Sequence, residues 1–456
     1  MTSSGHIQRV VVLGGGIAGL SAAVGLSRRA DQVVLLERDH YSSSDEVRLH
    51  TAHGAHAHIL LAGGLSRLSA LIPELPSWMD AAGRPEGDLC LHTRVAYEGR
   101  WLPKVRSGIP VRPCTRGEVE SLLLRKARSC PNLQIVEGAR VEGFLGDTRV
   151  EGVRYSGPSE TQDLRAELVV DATGRASPSH RWIAEKCRQP IVEQIVDAGV
   201  VYSSAWFEVS HEIPDDWIVM ATLPAVPTSP RMGIVVRFAG GRLLCSSAAY
   251  GRPKAPQSHA ELLQQLRDHC APELQRLLAA GRPTSAILTY GNTQNRWRRY
   301  GRLDGFPDGL VALGDAVCSL NPRYGQGMTV AALSVDCLLR TFDDYILKYK
   351  NLIGFSHNFQ KRLEQALQIP WQMALLEDRG WASILSGRTL SHGERWVQAG
   401  VQRVLTTAFS DIDTYIRFMK VAHLLEPPTA LLSYATVAKI VAGGQPTGAA
   451  PPQIGL

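Results

Sequence analysis

The sequence contains no Cys-x-x-Cys pair. Its eight cysteines stand apart at positions 90, 114, 130, 187, 245, 270, 318 and 337. That spacing argues against a zinc site or a dithiol centre and implies free thiols in a reducing compartment. Long apolar runs are also lacking. None reaches the ~18 residues of a spanning helix, so no integral membrane segment is expected. Lysine is scarce: only 9 of the 49 basic residues are lysine, and none precedes Lys104. The arginines are scattered and the net charge is a modest +6, so no nucleic-acid partner is expected. The apolar stretch after Arg9 is cut by Gly14, Gly15 and Gly16, which disfavours an export signal and makes the cytoplasm the expected location. No Ser-His-Asp set or paired carboxylates stand out, and no catalytic side chain is assigned.

The residues that are present carry more information. From Arg9 the chain reads R-V-V-V-L-G-G-G-I-A-G-L, and L-L-E-R follows at 35–38. This is a buried strand, a glycine turn, a helix and a second strand ending in an acid. Gly14 permits the tight turn, Gly16 lets backbone approach a pyrophosphate, and Gly19 lets helix pack on strand. Ile17 and Ala18 open the helix, whose free N–H groups and dipole favour phosphate. Glu37, followed by Arg38, stands 23 residues after Gly14, where a carboxylate accepts hydrogen bonds from a ribose diol. The chain is expected to bind a dinucleotide.

A length of 456 residues, 44% of them hydrophobic and 20% charged, suits a globular protein of two or three domains. After the opening unit, a connection rich in His and Gly leads into a helix expected at 57–71. Residues 115–118, T-R-G-E, form a capping box that places Arg116 at a helix start. Residues 133–155 read as short strands, and 166–170 as a buried strand running into Asp171-Ala-Thr-Gly174-Arg175. Between 192 and 290 the pattern turns β-rich, with a hairpin turn at 239–241 and helices at 258–280. The nucleotide-binding pattern resumes near residue 310. The expected fold is α/β: a Rossmann-like domain (1–75, 100–190, 295–345), an inserted sheet domain for substrate (76–99, 191–294), a mostly helical C-terminal region (346–442) and a disordered tail (443–456).

The second motif is L-G-D-A at 313–316 followed by N-P-R-Y-G-Q-G-M at 321–328. A strand end delivers Asp315 to the edge where open α/β sheets bind ligands. Pro322, Gly325, Gln326, Gly327 and Met328 then lead into a helix expected at 328–339. Its N-terminus suits the pyrimidine end of a flavin, because the helix dipole stabilises an anionic ring. Asp171 and Gly174 are candidates for contact with the dinucleotide; strand-end turn chemistry is the alternative. His50, His53, His56 and His58 invite a metal reading, but no cysteine or carboxylate nearby completes a site, and none is assigned.

In this order the motifs resemble the flavin-dependent monooxygenases of the para-hydroxybenzoate hydroxylase fold. More narrowly, H-A-H-I-L at 56–60, D-A-T-G-R-A-S-P-S at 171–179 and D-A-G-V-V-Y at 197–202 resemble bacterial polyether-pathway epoxidases such as lasalocid and monensin epoxidases. The resemblance covers residues 8–345. It implies FAD as the catalyst, NAD(P)H as reductant, and epoxidation or hydroxylation of a hydrophobic polyene polyketide or terpenoid through a C4a-hydroperoxyflavin. It also implies cofactor contacts at Arg48, His58, Arg116 and Val141, beside those named above. No second G-x-G-x-x-G is present, so the reductant binds transiently or a flavin reductase supplies it. An aromatic hydroxylase, a prenyl reductase and a redox-neutral flavin cyclase are the alternatives. Flavin halogenases, which share the fold, place a lysine in the first hundred residues, where this chain has none.

Overall fold

The computed structural model describes residues 7–41, 56–84, 86–157, 160–209, 216–226, 228–267 and 272–432. Arg48, His50, His53 and the tail from 443 lie outside them.

The apolar run at the start forms the strand Ile7–Leu13, fully buried from Val10 onward. It pairs in parallel with Ala30–Leu36 on one side and Leu168–Asp171 on the other. Leu310–Ala312 and Leu133–Val136 extend this sheet to five parallel strands. Burial on both faces explains why these strands read as unbroken runs of Val and Leu rather than as alternation. The helices Ile17–Leu26 and Gly327–Tyr349 pack together. A Cβ on Gly25 would lie 2.4 Å from Leu339 Cδ1, so that glycine sets their close approach.

The second layer is an eight-stranded, mostly antiparallel sheet. Its central strands are Val201–Glu208, Arg242–Ala249, Arg231–Arg237 and Val219–Leu223. The hairpin turns at 238–241, where Gly240 and Gly241 both have positive φ (+72° and +71°), a conformation that only glycine adopts freely. Thr93–Tyr97 joins this sheet in parallel against Val219–Leu223.

The C-terminal region is helical. Phe355–Ser386 runs for 32 residues and buries Phe355, Phe359, Leu363, Leu367 and Trp371 in the main core, a stripe at helical spacing. Two expectations shift. The helix expected at 57–71 starts only at Ala62, because Ile59 forms an extended bridge with Pro113 and His58 bonds back to the His56 carbonyl. The helix expected at 328–339 continues to Tyr349, carried by the buried positions Leu338, Leu339 and Phe342. No helix among the described residues is long and apolar enough to cross a membrane.

Candidate functional site

Two cavities adjoin. The first, about 580 Å³, opens at the carboxyl ends of the parallel strands and is lined by Gly14, Gly16, Glu37, Arg38, Arg116, Val141, Gly174 and Asp315, among others. The second, about 280 Å³, lies between that cleft and the large sheet. Tyr290 and Pro322 line both.

The glycine turn builds one end of the first cavity. Gly14 has φ +90°, and a Cβ there would lie 2.7 Å from the Ala172 carbonyl oxygen. A Cβ on Gly19 would lie 1.7 Å from the Gly14 carbonyl oxygen. Gly16 differs: its φ of −79° and ψ of −172° are ordinary extended backbone, and it caps the helix Ile17–Leu26. That helix has no side-chain cap and no acid in its first turn. Its first N–H groups have no intrahelical acceptor, so a positive helix end faces the cleft. Glu37, buried, accepts from the backbone N–H groups of Gly15 (2.5 Å) and Asp39 (2.9 Å). It therefore braces the turn as well as lining the cleft.

Asp315 enters from the turn Gly314–Ala316 at the end of Leu310–Ala312. Burial raises its carboxyl above the usual range, opposed by the positive charges of Arg116 and Arg175. Arg116 is fixed at the start of the helix Arg116–Arg128 by the expected capping box: Glu118 N–H donates to Thr115 Oγ1 at 3.2 Å, and Thr115 N–H to Glu118 Oε2 at 2.7 Å. Its guanidinium also pairs with Glu120 at 2.8 Å.

Asp171 does not line the cleft. It is fully buried, and its carboxylate accepts from Thr173 N–H (2.9 Å), Thr173 Oγ1 (2.6 Å) and Ser177 Oγ (2.5 Å). Turn chemistry accounts for it, while Ala172, Thr173, Gly174 and Arg175 supply the wall. Ile17 and Met328 are core residues with under a tenth of their surface exposed, and Ala18 supports Gly314.

The second motif shapes the junction. Asn321 caps the turn Pro322–Tyr324, accepting from Arg323 N–H at 3.2 Å. Gly325 then takes φ +62°, and Gln326 stands at the N-cap of Gly327–Tyr349 without capping it through its side chain. Gln326 lines the second cavity, is 1% exposed, and its Oε1 has no partner. A Cβ on Gly327 would meet nothing within 4 Å. An orphaned amide oxygen beside an uncapped helix end is a place for a polar ring edge. These features fit FAD.

The second cavity is mainly apolar, walled by sheet residues such as Val219, Ala221 and Ile234, and by Met373, Leu376 and Phe418 from the C-terminal helices. Its floor holds a network that sequence reasoning missed. Asp378, fully buried on Phe355–Ser386, accepts from Tyr250 Oη (2.8 Å), Tyr324 Oη (3.1 Å), Asn295 Nδ2 (2.6 Å) and Asn321 Nδ2 (2.9 Å). Neighbouring Glu377 pairs with Arg323 at 2.6 Å. Burial raises both carboxyls, and Arg323 opposes this in each. The long helix thus holds the 321–325 loop in place. Nothing local marks these acids in the sequence.

His56 and His58 enter the second cavity from the loop before Ala62. The Nδ1–H of His58 donates to the His56 carbonyl at 2.7 Å. Burial lowers both imidazoles, and that of His423, from 6.5 to about 4. These groups are neutral in the folded protein near neutral pH, whereas the unfolded chain protonates them below 6.5. The unfolded state therefore binds more protons between about 6.5 and 4, and acid destabilises the fold across that window. Each imidazole adds a slope of up to ~1.4 kcal/mol per pH unit. Urea unfolding at pH 5 is expected to show a lower midpoint than at pH 7, a difference that His423→Gln narrows; a difference left unchanged by that substitution would contradict the buried neutral assignment of His423.

The family described as FAD binding domain matches residues 8–339. Protein Rv3254 of Mycobacterium tuberculosis is 30% identical over 354 residues, covering 73% of this chain and 72% of that protein. Among solved structures, the flavin-dependent brominase Bmp2 aligns with a TM-score of 0.65 at 15% identity, over 96% of this chain and 98% of its own. PqsL, a probable FAD-dependent monooxygenase from Pseudomonas aeruginosa, aligns with a TM-score of 0.62 at 17% identity, over 87% of this chain and 99% of its own. The chain belongs to the FAD binding domain family and has the fold that flavin-dependent monooxygenases and halogenases share.

Proposed function

We propose that this protein is an FAD-dependent monooxygenase that oxidises a hydrophobic, alkene-containing natural-product intermediate, with epoxidation as its reaction. The observation that carries the reading is the adjacency of two cavities: the cleft at the strand ends and an apolar chamber share Tyr290 and Pro322 in their walls. In this reading Gly14, Gly16, Glu37, Arg38, Arg116, Val141, Gly174 and Asp315 hold the nucleotide and ribityl parts of FAD. Pro322, Gly325, Gln326, Gly327 and His58 surround its ring. When bound, FAD supplies reduction by NAD(P)H and oxygen activation. The chain's own contribution is to bind, orient and exclude water. The balance is substrate, O₂, NAD(P)H and H⁺ giving epoxide, water and NAD(P)⁺.

The likeness of the motifs at 56–60, 171–179 and 197–202 to the polyether-pathway epoxidases supports an alkene substrate. We further propose the division into an FAD-binding domain, a sheet domain for substrate and a helical C-terminal region, and either transient NAD(P)H binding or a partner flavin reductase. Among the described residues no lysine lines either cavity, which favours oxygen transfer over halogenation.

The test measures NAD(P)H oxidation and O₂ uptake together, with FAD-loaded protein and a panel of polyenes and phenols. Equimolar consumption stimulated by a polyene is expected. Stimulation by phenols alone would make the enzyme an aromatic hydroxylase. Reductant use without O₂ uptake would indicate a prenyl reductase, and turnover without net reductant use a cyclase.

A further inference from the structure

His56 is 6% exposed and lines the chamber, and its Nε2 is buried without a partner. Its Nδ1 lies 2.7 Å from Ser204 Oγ, which lies 2.6 Å from Ser246 Oγ. Ser246 Oγ in turn accepts from Ala57 N–H at 3.4 Å. Both serines are buried, on the paired strands Val201–Glu208 and Arg242–Ala249.

This chain of hydrogen bonds can run in two directions. If Ser246 donates to Ser204 and Ser204 to His56 Nδ1, the neutral imidazole carries its proton at Nε2. If Nδ1–H donates to Ser204, Nε2 is an acceptor. In both, a polar ring atom is buried without a partner, which is costly. Several other polar groups of the chamber face protein partners: Tyr202 donates to Asn321 Oδ1, Tyr324 to Asp378, and Arg323 pairs with Glu377, whereas Thr93 Oγ1 and Gln326 Oε1 are, like His56 Nε2, buried without one.

We propose that Ser204 donates to His56 Nδ1, so that Nε2–H is a substrate-recognition donor, and that the substrate is a hydrophobic alkene bearing a carbonyl or hydroxyl oxygen rather than a bare hydrocarbon. The inference rests on the monooxygenase reading for its substrate class, but it is tested by binding alone. Tyr202 and Tyr290, with ring centroids 6.3 and 6.1 Å from His56, flank the donor with flat apolar surface. In that arrangement the serine relay sets the tautomer, so Ser204 acts as a positioning residue.

The experiment uses FAD-loaded protein and two probes of matched shape: geranylacetone, a dienone, and the corresponding diene lacking the carbonyl oxygen. Dissociation constants are measured for each by calorimetry, and FAD content is recorded for every variant. Wild-type protein is expected to prefer the ketone by about tenfold, the worth of one neutral hydrogen bond. H56L is expected to abolish the preference while keeping FAD, and H56Q, whose amide N–H reaches the same region, to restore part of it. S204A is expected to weaken the preference without touching the donor itself. A wild-type protein that does not discriminate between the probes would overturn the proposal. So would an H56L protein that loses FAD yet keeps the ketone preference, which would assign His56 to the flavin. Because no turnover is measured, failure here leaves the redox reading standing, and failure of that reading leaves these constants unchanged.

Discussion

Gly16→Leu is expected to give a folded protein that no longer retains FAD. The backbone at Gly16 is extended, with φ −79°, and accepts any side chain without strain. Replacing Gly at an N-cap costs at most ~1 kcal/mol of helix stability. The leucine, however, would fill the cleft wall where the uncapped helix end meets the pyrophosphate, and would block the approach of backbone N–H groups. A loss of at least ~3 kcal/mol is expected, or roughly a hundredfold or more in affinity. Gly19→Leu, three residues on, is expected to fail at folding instead, because its Cβ would lie 1.7 Å from the Gly14 carbonyl oxygen. Circular dichroism together with FAD absorbance separates the two. Full FAD retention by folded Gly16→Leu would remove the pyrophosphate from this turn.

Asp378→Ala is expected to cost at least ~3 kcal/mol of stability, since it leaves buried donors of two tyrosines and two asparagines without an acceptor. Deleting one buried carboxylate also removes its own desolvation cost, so the full sum of four lost bonds is not expected. Asp378→Asn is expected to fall between, because one amide oxygen replaces two carboxylate oxygens as acceptors. The functional loss should exceed what partial unfolding explains: Asn321 and Tyr324 belong to the loop at the junction of the two cavities, and that loop loses its anchor. Thermal unfolding and FAD-dependent turnover of both variants check this. A change below ~0.5 kcal/mol, the scale of a surface substitution, would contradict the role given to the network.

These two residues mark what the sequence shows and what it hides. Gly14, Gly16 and Glu37 are legible because strand, turn and helix are consecutive and their spacing is chemical. The capping box that fixes Arg116, and the strand end that delivers Asp315, are local in the same way. Asp378 sits on a helix whose pattern is that of any amphipathic helix. Its partners lie 57, 83 and 128 residues away at Asn321, Asn295 and Tyr250, and only the tertiary fold brings them together. Ser204 and Ser246 read as ordinary strand residues until pairing places them opposite one another. Asp171 shows the reverse case: its position suggested a cofactor contact, but the following Thr173 and Ser177 satisfy its carboxylate and turn it inward. The histidines at 56 and 58 delay the helix to Ala62, since a loop that feeds the chamber is stabilised by contacts no window of sequence contains.

The proposed transfer of an oxygen atom from O₂ to an alkene is open to isotope labelling. FAD-loaded protein is supplied with NAD(P)H, ¹⁸O₂ and a polyene or prenylated substrate bearing a carbonyl group, and the product is analysed by mass spectrometry. One ¹⁸O per oxidised double bond is the predicted result; ¹⁸O-free product, whether its oxygen comes from water or none is added, would contradict it.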